Sequence, residues 1–305
     1  MEAVECAWED LFDDTERKSL DEGFFITGLI SIVLGLWLNL ALLMTELKQD
    51  RSYRNLANFI TVPCIRRMVP FLNIDLKGCE IFAFLETFLA VLEVEWLTHV
   101  CIERYVVAKY TNNGWPVQKY HYALYQCLCL FFASLYSLPP LLGIGRYCFD
   151  FSCSFCTYDV ILTESWERYI VVLIFMLRSI KPALFMFMML IWARILERKL
   201  VCSIETEEQL KFTKNVIFVT LVSLICWSPI ALIRGSVILS QLLYSDPVVP
   251  LPACYIKWAM LIHWISPAFT ALTLFVADNK IRNKMFHLNS TKTSVETYDN
   301  KDKKE

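Results

Sequence analysis

The chain has 305 residues, 56% of them hydrophobic, with a mean hydropathy of +0.44 and a formal net charge of −2. That apolar fraction is high for a water-soluble domain and usual for a chain that crosses a bilayer several times. The net charge itself says little, since its distribution matters more; no nucleic-acid partner is expected, and the twelve cysteines form no pair of C-x-x-C units, so no metal site is expected.

Residues 1–22 are acidic and lack a basic region followed by an apolar one, so the first span is expected to drive insertion. Seven apolar segments follow, near 23–45, 55–74, 79–105, 121–143, 168–193, 212–240 and 250–277. The second is the weakest, because Arg66-Arg67 interrupts it. The fourth ends in SLPPLLG, where prolines stop or bend a helix. The fifth carries Arg178, Lys181 and Pro182. From Asn279 the tail is polar, read as a short amphipathic helix and then disorder. The predicted fold class is an all-α membrane protein, a seven-transmembrane helix bundle over 23–277, with an outer segment 1–22 and a cytoplasmic tail 278–305.

The third segment, CEIFAFLETFLAVLEVEWLTHVCIERY from Cys79 to Tyr105, dominates the pattern. As a helix it is about 40 Å long, enough to cross a bilayer. It carries Glu86, Glu93 and Glu95 in apolar surroundings, and a carboxylate at bilayer depth costs a few kcal/mol, so other helices should enclose it. Glu86, Glu93 and Arg104 are spaced by 7 and 11 residues and fall on nearly one face, with Glu95 opposite Glu86.

Lysines and arginines concentrate after the first, third, fifth and seventh segments. The positive-inside rule therefore puts the N-terminus outside and the C-terminus in the cytoplasm. Cys79 then lies on the oxidising side together with Cys153 and Cys156, so a bridge from Cys79 to one of them is expected, Cys156 being favoured. The plainer alternative is that all three are small buried apolar residues.

Glu103-Arg104-Tyr105 at the inner end of the third helix resembles the D/E-R-Y motif of rhodopsin-like G-protein-coupled receptors, and Cys226-Trp227-Ser228-Pro229 resembles their sixth-helix C-W-x-P. Asn39 matches the first-helix asparagine. The run SLPPLLGIGRY, then Asp150, then CSFCTYD, is similar to the outer loop of opsins, including their retinal-isomerase branch. The resemblance implies a multi-pass plasma-membrane receptor, not an enzyme, that signals to a heterotrimeric G protein. Pro252-Ala253-Cys254-Tyr255-Ile256-Lys257 resembles the opsin run P-A-x-x-x-K, which makes Lys257 the candidate for binding retinal as a Schiff base. Glu86, or Asp150 in the loop, is then the candidate counterion, with Phe82 at the usual vertebrate counterion position and Trp227 as pocket floor. The plainer reading is a lysine that snorkels at the helix end, or a simple Glu86–Lys257 ion pair.

Where the family keeps a second-helix aspartate around a sodium ion, Arg67, or alternatively Arg66, stands opposite Glu93, which implies an Arg67–Glu93 ion pair filling that site. Glu208 is the nearest acid in the sixth segment to restrain Arg104. The seventh-helix N-P-x-x-Y is absent: counted from Lys257, His263-Trp264 stand at its N-P, whereas Ser266-Pro267 lies three residues later. Two readings remain beside the retinal-binding receptor. One is a receptor for a small ligand of unknown class, and the other is a retinal photoisomerase that does not signal.

Overall fold

The computed structural model describes residues 8, 11–44, 51–69, 79–112, 119–153, 155–159, 165–199, 204–244 and 252–283, leaving aside the side chains at 42–44, 51, 79, 111, 112, 119, 165, 167, 204–206 and 244. Among them run seven long helices: α1 Asp14–Met44, α2 Arg51–Met68, α3 Cys79–Asn112, α4 Lys119–Ser137, α5, α6 Ile204–Tyr244 and α7 Ala253–Ala277. α5 is composite, Ser165–Phe175 continuing through a π segment, Met176–Ile180, into Lys181–Glu197. Four of the seven, α1, α5, α6 and α7, contain stretches long and apolar enough to cross a membrane by composition alone. The other three are shorter or more polar and rely on their neighbours for cover. α3 packs against α2, α4 and α5 and occupies the middle of the bundle.

α1 begins at Asp14 rather than at the expected 23. The cause is a reciprocal cap: the Glu16 amide donates to Asp13 Oδ1 at 2.7 Å and the Asp13 amide to Glu16 Oε2 at 3.3 Å. Satisfying the first free amides lets the helix extend beyond its apolar stretch. α2 spans Arg51–Met68, and the expected continuation to 74 falls on 70–74, outside the described residues. At the far end of α7, Asp278 caps the next turn, its Oδ1 accepting from the amides of Lys280 and Ile281 at 2.9 and 3.0 Å.

α4 stops where Pro139 and Pro140 open a 3₁₀ turn, Pro139–Leu142, closed by Gly143 at φ +81°. That left-handed backbone favours glycine. The chain then forms a small antiparallel hairpin, β1 Tyr147–Phe149 with β2 Cys156–Tyr158, in register Cys148 opposite Thr157. The hairpin packs on α3, and its turn reaches across the bundle: Phe151 meets Trp8, and Phe155 lies between Phe24 of α1 and Trp264 of α7. It is a lid anchored to three helices.

The core is layered. An inner cluster joins Leu56, Phe59 and Ile60 of α2 to Leu97 and Val100 of α3, Val216 and Val219 of α6 and Leu274 of α7. An outer cluster joins Phe24, Ile233, Ile256 and Trp264 to the lid. α1 and α2 approach most closely at Gly35, where an added Cβ would collide with the sulfur of Cys64. Gly35→Ala is expected to cost about 1–3 kcal/mol. A further Cys64→Ala change, which removes the obstructing atom, should recover most of it. Thermal melting of the purified single and double variants checks this; simple additivity of the two changes would contradict it.

Candidate functional site

Adjacent residues on a helix diverge by about 100°, and the two arginines at the outer end of α2 use that divergence. Arg66 turns to α3. Its Nε donates to Glu86 Oε1 at 2.6 Å and its Nη1 to Glu93 Oε2 at 3.1 Å. Its Nη2 lies 3.0 Å from His263 Nε2. A guanidinium has no acceptor, so that imidazole nitrogen accepts and the ring carries its proton on Nδ1. Arg67 turns to α7 instead. Its Nε donates to the Trp264 carbonyl and its Nη2 to the His263 carbonyl, both at 2.8 Å, and its guanidinium lies over the Trp264 ring at 4.2 Å. The His263 carbonyl is four residues before Pro267, which has no N–H to give it. Arg67 supplies the donor that the proline withholds.

The expected Arg67–Glu93 pair is thus corrected: Arg66 holds Glu93, and also Glu86. Sequence spacing leaves two adjacent arginines as alternatives, and the rotation of α2 selects between them. The expected Glu86–Lys257 pair does not form. Glu86 is occupied by Arg66, and Lys257, in the second turn of α7, donates to Ser19 Oγ of α1 at 3.2 Å. Asp150 accepts from the amide and hydroxyl of Ser152 at 3.0 and 2.6 Å. These residues do not fit a Schiff-base retinal. No carboxylate candidate meets Lys257, and if Pro267 takes the place of the missing N-P proline, the opsin lysine position falls on Met260, a buried apolar residue.

Below the lid, α2, α3, α5, α6 and α7 line a cavity of about 950 Å³ that is open between α5 and α6. Its ionisable lining residues are Arg66, Glu93, Arg178, Arg234 and His263, and Trp227 also lines it. Phe82, Glu86 and Lys257 are not among its lining residues. Arg178 is placed there by the π segment of α5. Pro182 cannot donate to the carbonyl of residue 178, so the helix widens just before it. Arg234 lies two turns of α6 above Trp227, and its Nη2 is 3.5 Å from Thr157 Oγ1 of the lid. Neither arginine was assigned a role from the sequence, although a charge inside an apolar span is the signal that points to both.

At the cytoplasmic end, Glu103 and Arg104 are both buried. Arg104 Nη2 donates to Glu103 Oε1 and to Ser52 Oγ, each at 2.6 Å, and Nη1 donates to Gln209 Oε1 of α6 at 3.0 Å. Glu103 also accepts from Asn55 Nδ2 at 2.7 Å and from Tyr122 Oη at 3.1 Å. The acid expected in this role, Glu208, pairs with Lys280 instead, at 3.1 Å. Gln209, one residue on, faces the bundle. Tyr105 packs on Trp192 of α5 with ring centroids 5.8 Å apart. Sequence reading also missed Asp278, whose Oδ2 accepts from Tyr53 Oη of α2 at 2.8 Å and from Asn215 Nδ2 of α6 at 3.0 Å. It follows a long apolar run and reads as the first polar residue of a tail.

Cys153 and Cys156 are each in a disulfide whose partner lies outside the described residues. The expected Cys79–Cys156 pairing falls on a side chain outside the described residues. Burial raises the Asp150 carboxyl from 3.8 to about 6, while the Ser152 hydroxyl and the charge of Arg234 pull it down. A carboxyl whose folded pKa lies above its unfolded value stabilises the fold below the unfolded value, and that contribution is lost as pH rises through about 6. The melting temperature should therefore fall between those limits, and Asp150→Asn should flatten the slope. In the ion-pair network, Arg66→Leu strands two carboxylates and is expected to cost about 3–5 kcal/mol or more. Glu86→Gln should cost less, since Glu93 still holds Arg66. Equal losses in melting would contradict the shared pairing.

Residues 66–275 match the 7 transmembrane receptor (rhodopsin family) profile. The fold is similar to that in a crystal structure of squid rhodopsin, with a TM-score of 0.75 over 91% of this chain and 87% of that one, at 15% sequence identity. No curated protein sequence matches the chain significantly. The seven-helix path and the matched span, which runs from the arginine pair of α2 to the end of α7, agree: the chain belongs to the rhodopsin family of seven-transmembrane receptors.

Proposed function

We propose that this receptor binds a diffusible small molecule non-covalently in the outer cavity and signals to a heterotrimeric G protein at the plasma membrane. The observation that carries the reading is the clasp on Arg104. One guanidinium joins Ser52 of α2, Glu103 of α3 and Gln209 of α6. Such a clasp holds the sixth helix against the third and buries the arginine that a G protein would need, which is what a resting state requires.

The cavity and the clasp share α6. Trp227 Nε1 donates to Ser266 Oγ at 3.3 Å, Ser223 and Thr270 share a hydrogen bond at 3.2 Å, and Cys101 meets Thr220 at 3.4 Å. Below them Asn215 joins Asp278. Every one of these bonds must shift if α6 swings about Pro229. A ligand that binds better with α6 displaced would therefore bias the whole set. The retinal-binding receptor and the photoisomerase both require Lys257, and its bond to Ser19 outside the cavity weighs against both.

Losing a hydrogen bond to a charged group costs about 1.5–3 kcal/mol. Gln209→Ala is therefore expected to raise ligand-free nucleotide exchange on purified G protein about tenfold. Arg104→Ala should abolish exchange, and Glu208→Ala should leave it unchanged. Exchange that survives Arg104→Ala would overturn the reading. Incubation with retinal followed by borohydride should leave no adduct, whereas one that disappears in Lys257→Ala would restore the chromophore.

A further inference from the structure

The outer cavity has an electrostatic imbalance. Three arginines line it, Arg66, Arg178 and Arg234, against one lining carboxylate, Glu93. Glu93 is committed to Arg66, which Glu86 also holds. Arg178 makes no hydrogen bond or ion pair with any described residue. Arg234 has the long contact to Thr157 at 3.5 Å and the attraction of Asp150 from the lid, with a lesser pull from Glu86. Arg178 feels the repulsion of Arg234. Arg66 and its neighbour Arg67 are balanced by Glu86 and Glu93, so counting Asp150 against Arg234 leaves one surplus positive charge, that of Arg178, among the described residues of the outer half. A buried cation without a partner is costly, and proteins retain such groups where they do something else.

The cavity's other wall is apolar and incomplete. Leu184 and Phe187 of α5 and Ile225 and Leu232 of α6 line it and are also exposed on the outer surface of the bundle. α5 and α6 touch sparsely, closing at Gly235 against Phe175. The cavity is therefore continuous with the surface that faces hydrocarbon.

We propose that the ligand of this receptor is a lipid-soluble monocarboxylate, such as a long-chain fatty acid, with its head between Arg178 and Arg234 and its tail in the seam between α5 and α6. The inference rests on the reading of the cavity as a ligand site. One carboxylate matches the residual charge, and its two oxygens can accept from both forks at once. The seam gives an apolar chain a path from the bilayer without crossing the lid.

The test uses the full chain in phosphatidylcholine nanodiscs, with oleate, oleyl alcohol, oleylamine, acetate and lysophosphatidate as probes and thermal melting as readout. Oleate is expected to raise the melting temperature in a concentration-dependent way, with no effect from the alcohol, the amine or acetate. Arg178→Gln and Arg234→Gln should each weaken oleate about tenfold or more. Without ligand, Arg178→Gln should melt no lower than the parent, because it removes an unpaired cation. A variant that melts lower makes Arg178 a structural group and overturns the assignment. Oleyl alcohol stabilising as well as oleate would overturn the anion and leave the cavity standing as a ligand site. Lysophosphatidate stabilising more than oleate would replace the carboxylate. If no probe binds and the parent still signals through Arg104, the fatty-acid assignment fails alone. If no probe binds and Arg104→Ala changes nothing, the receptor reading fails with it.

Discussion

Two adjacent arginines of α2 hold the outer half of this protein together. α2 is too charged to be a comfortable span, yet Arg66 and Arg67 are its most useful residues. Arg66 joins α2 to α3 through two carboxylates, and Arg67 joins α2 to α7 through two carbonyls. Guanidinium suits both tasks, since its donors fan out in a fixed plane and its charge is never lost. Each group that would be costly alone in a membrane is answered by another: carboxylates by Arg66, a proline-freed carbonyl by Arg67.

The same accounting makes the outer cavity stand apart. Around α2 the charges close, two arginines against Glu86 and Glu93. Across the cavity, on α5 and α6, they do not. The bundle pairs its ions on one side, while on the other Arg178 makes no bond with any described residue, and that asymmetry is what the proposed ligand would resolve. Proline contributes again: Pro182 widens α5 where Arg178 stands, as Pro267 bares the carbonyl that Arg67 caps.

At the cytoplasmic end the same chemistry serves a different purpose. Glu103 and Arg104 are held by polar side chains of α2, α4 and α6, which partner the buried pair at every polar atom but the Arg104 Nε. Separating α6 removes Gln209 from Arg104 and Asn215 from Asp278 in one motion. Gln209 is a neutral amide, and it restrains the Arg104 guanidinium more weakly than a carboxylate would.

Much of the scaffold could be read before any coordinates. Hydropathy and loop charge give the seven spans and their direction, because lipid forces each span to be apolar and to satisfy its own backbone. E-R-Y and C-W-S-P identify the family, because they are local and contiguous. Charges inside spans announce that partners exist. Which partner each one takes is a tertiary matter. Arg66 and Arg67 are neighbours in sequence and differ only by a rotation of α2, so composition cannot divide Glu93 between them. Lys257 reads as an opsin lysine in its motif, yet a displacement of about one turn along α7 moves it from the cavity to Ser19. Glu208 and Gln209 differ by the same rotation. Pairing depends on the phase and depth of one helix against another, and those are set by close packing across the whole bundle, not by any stretch of chain.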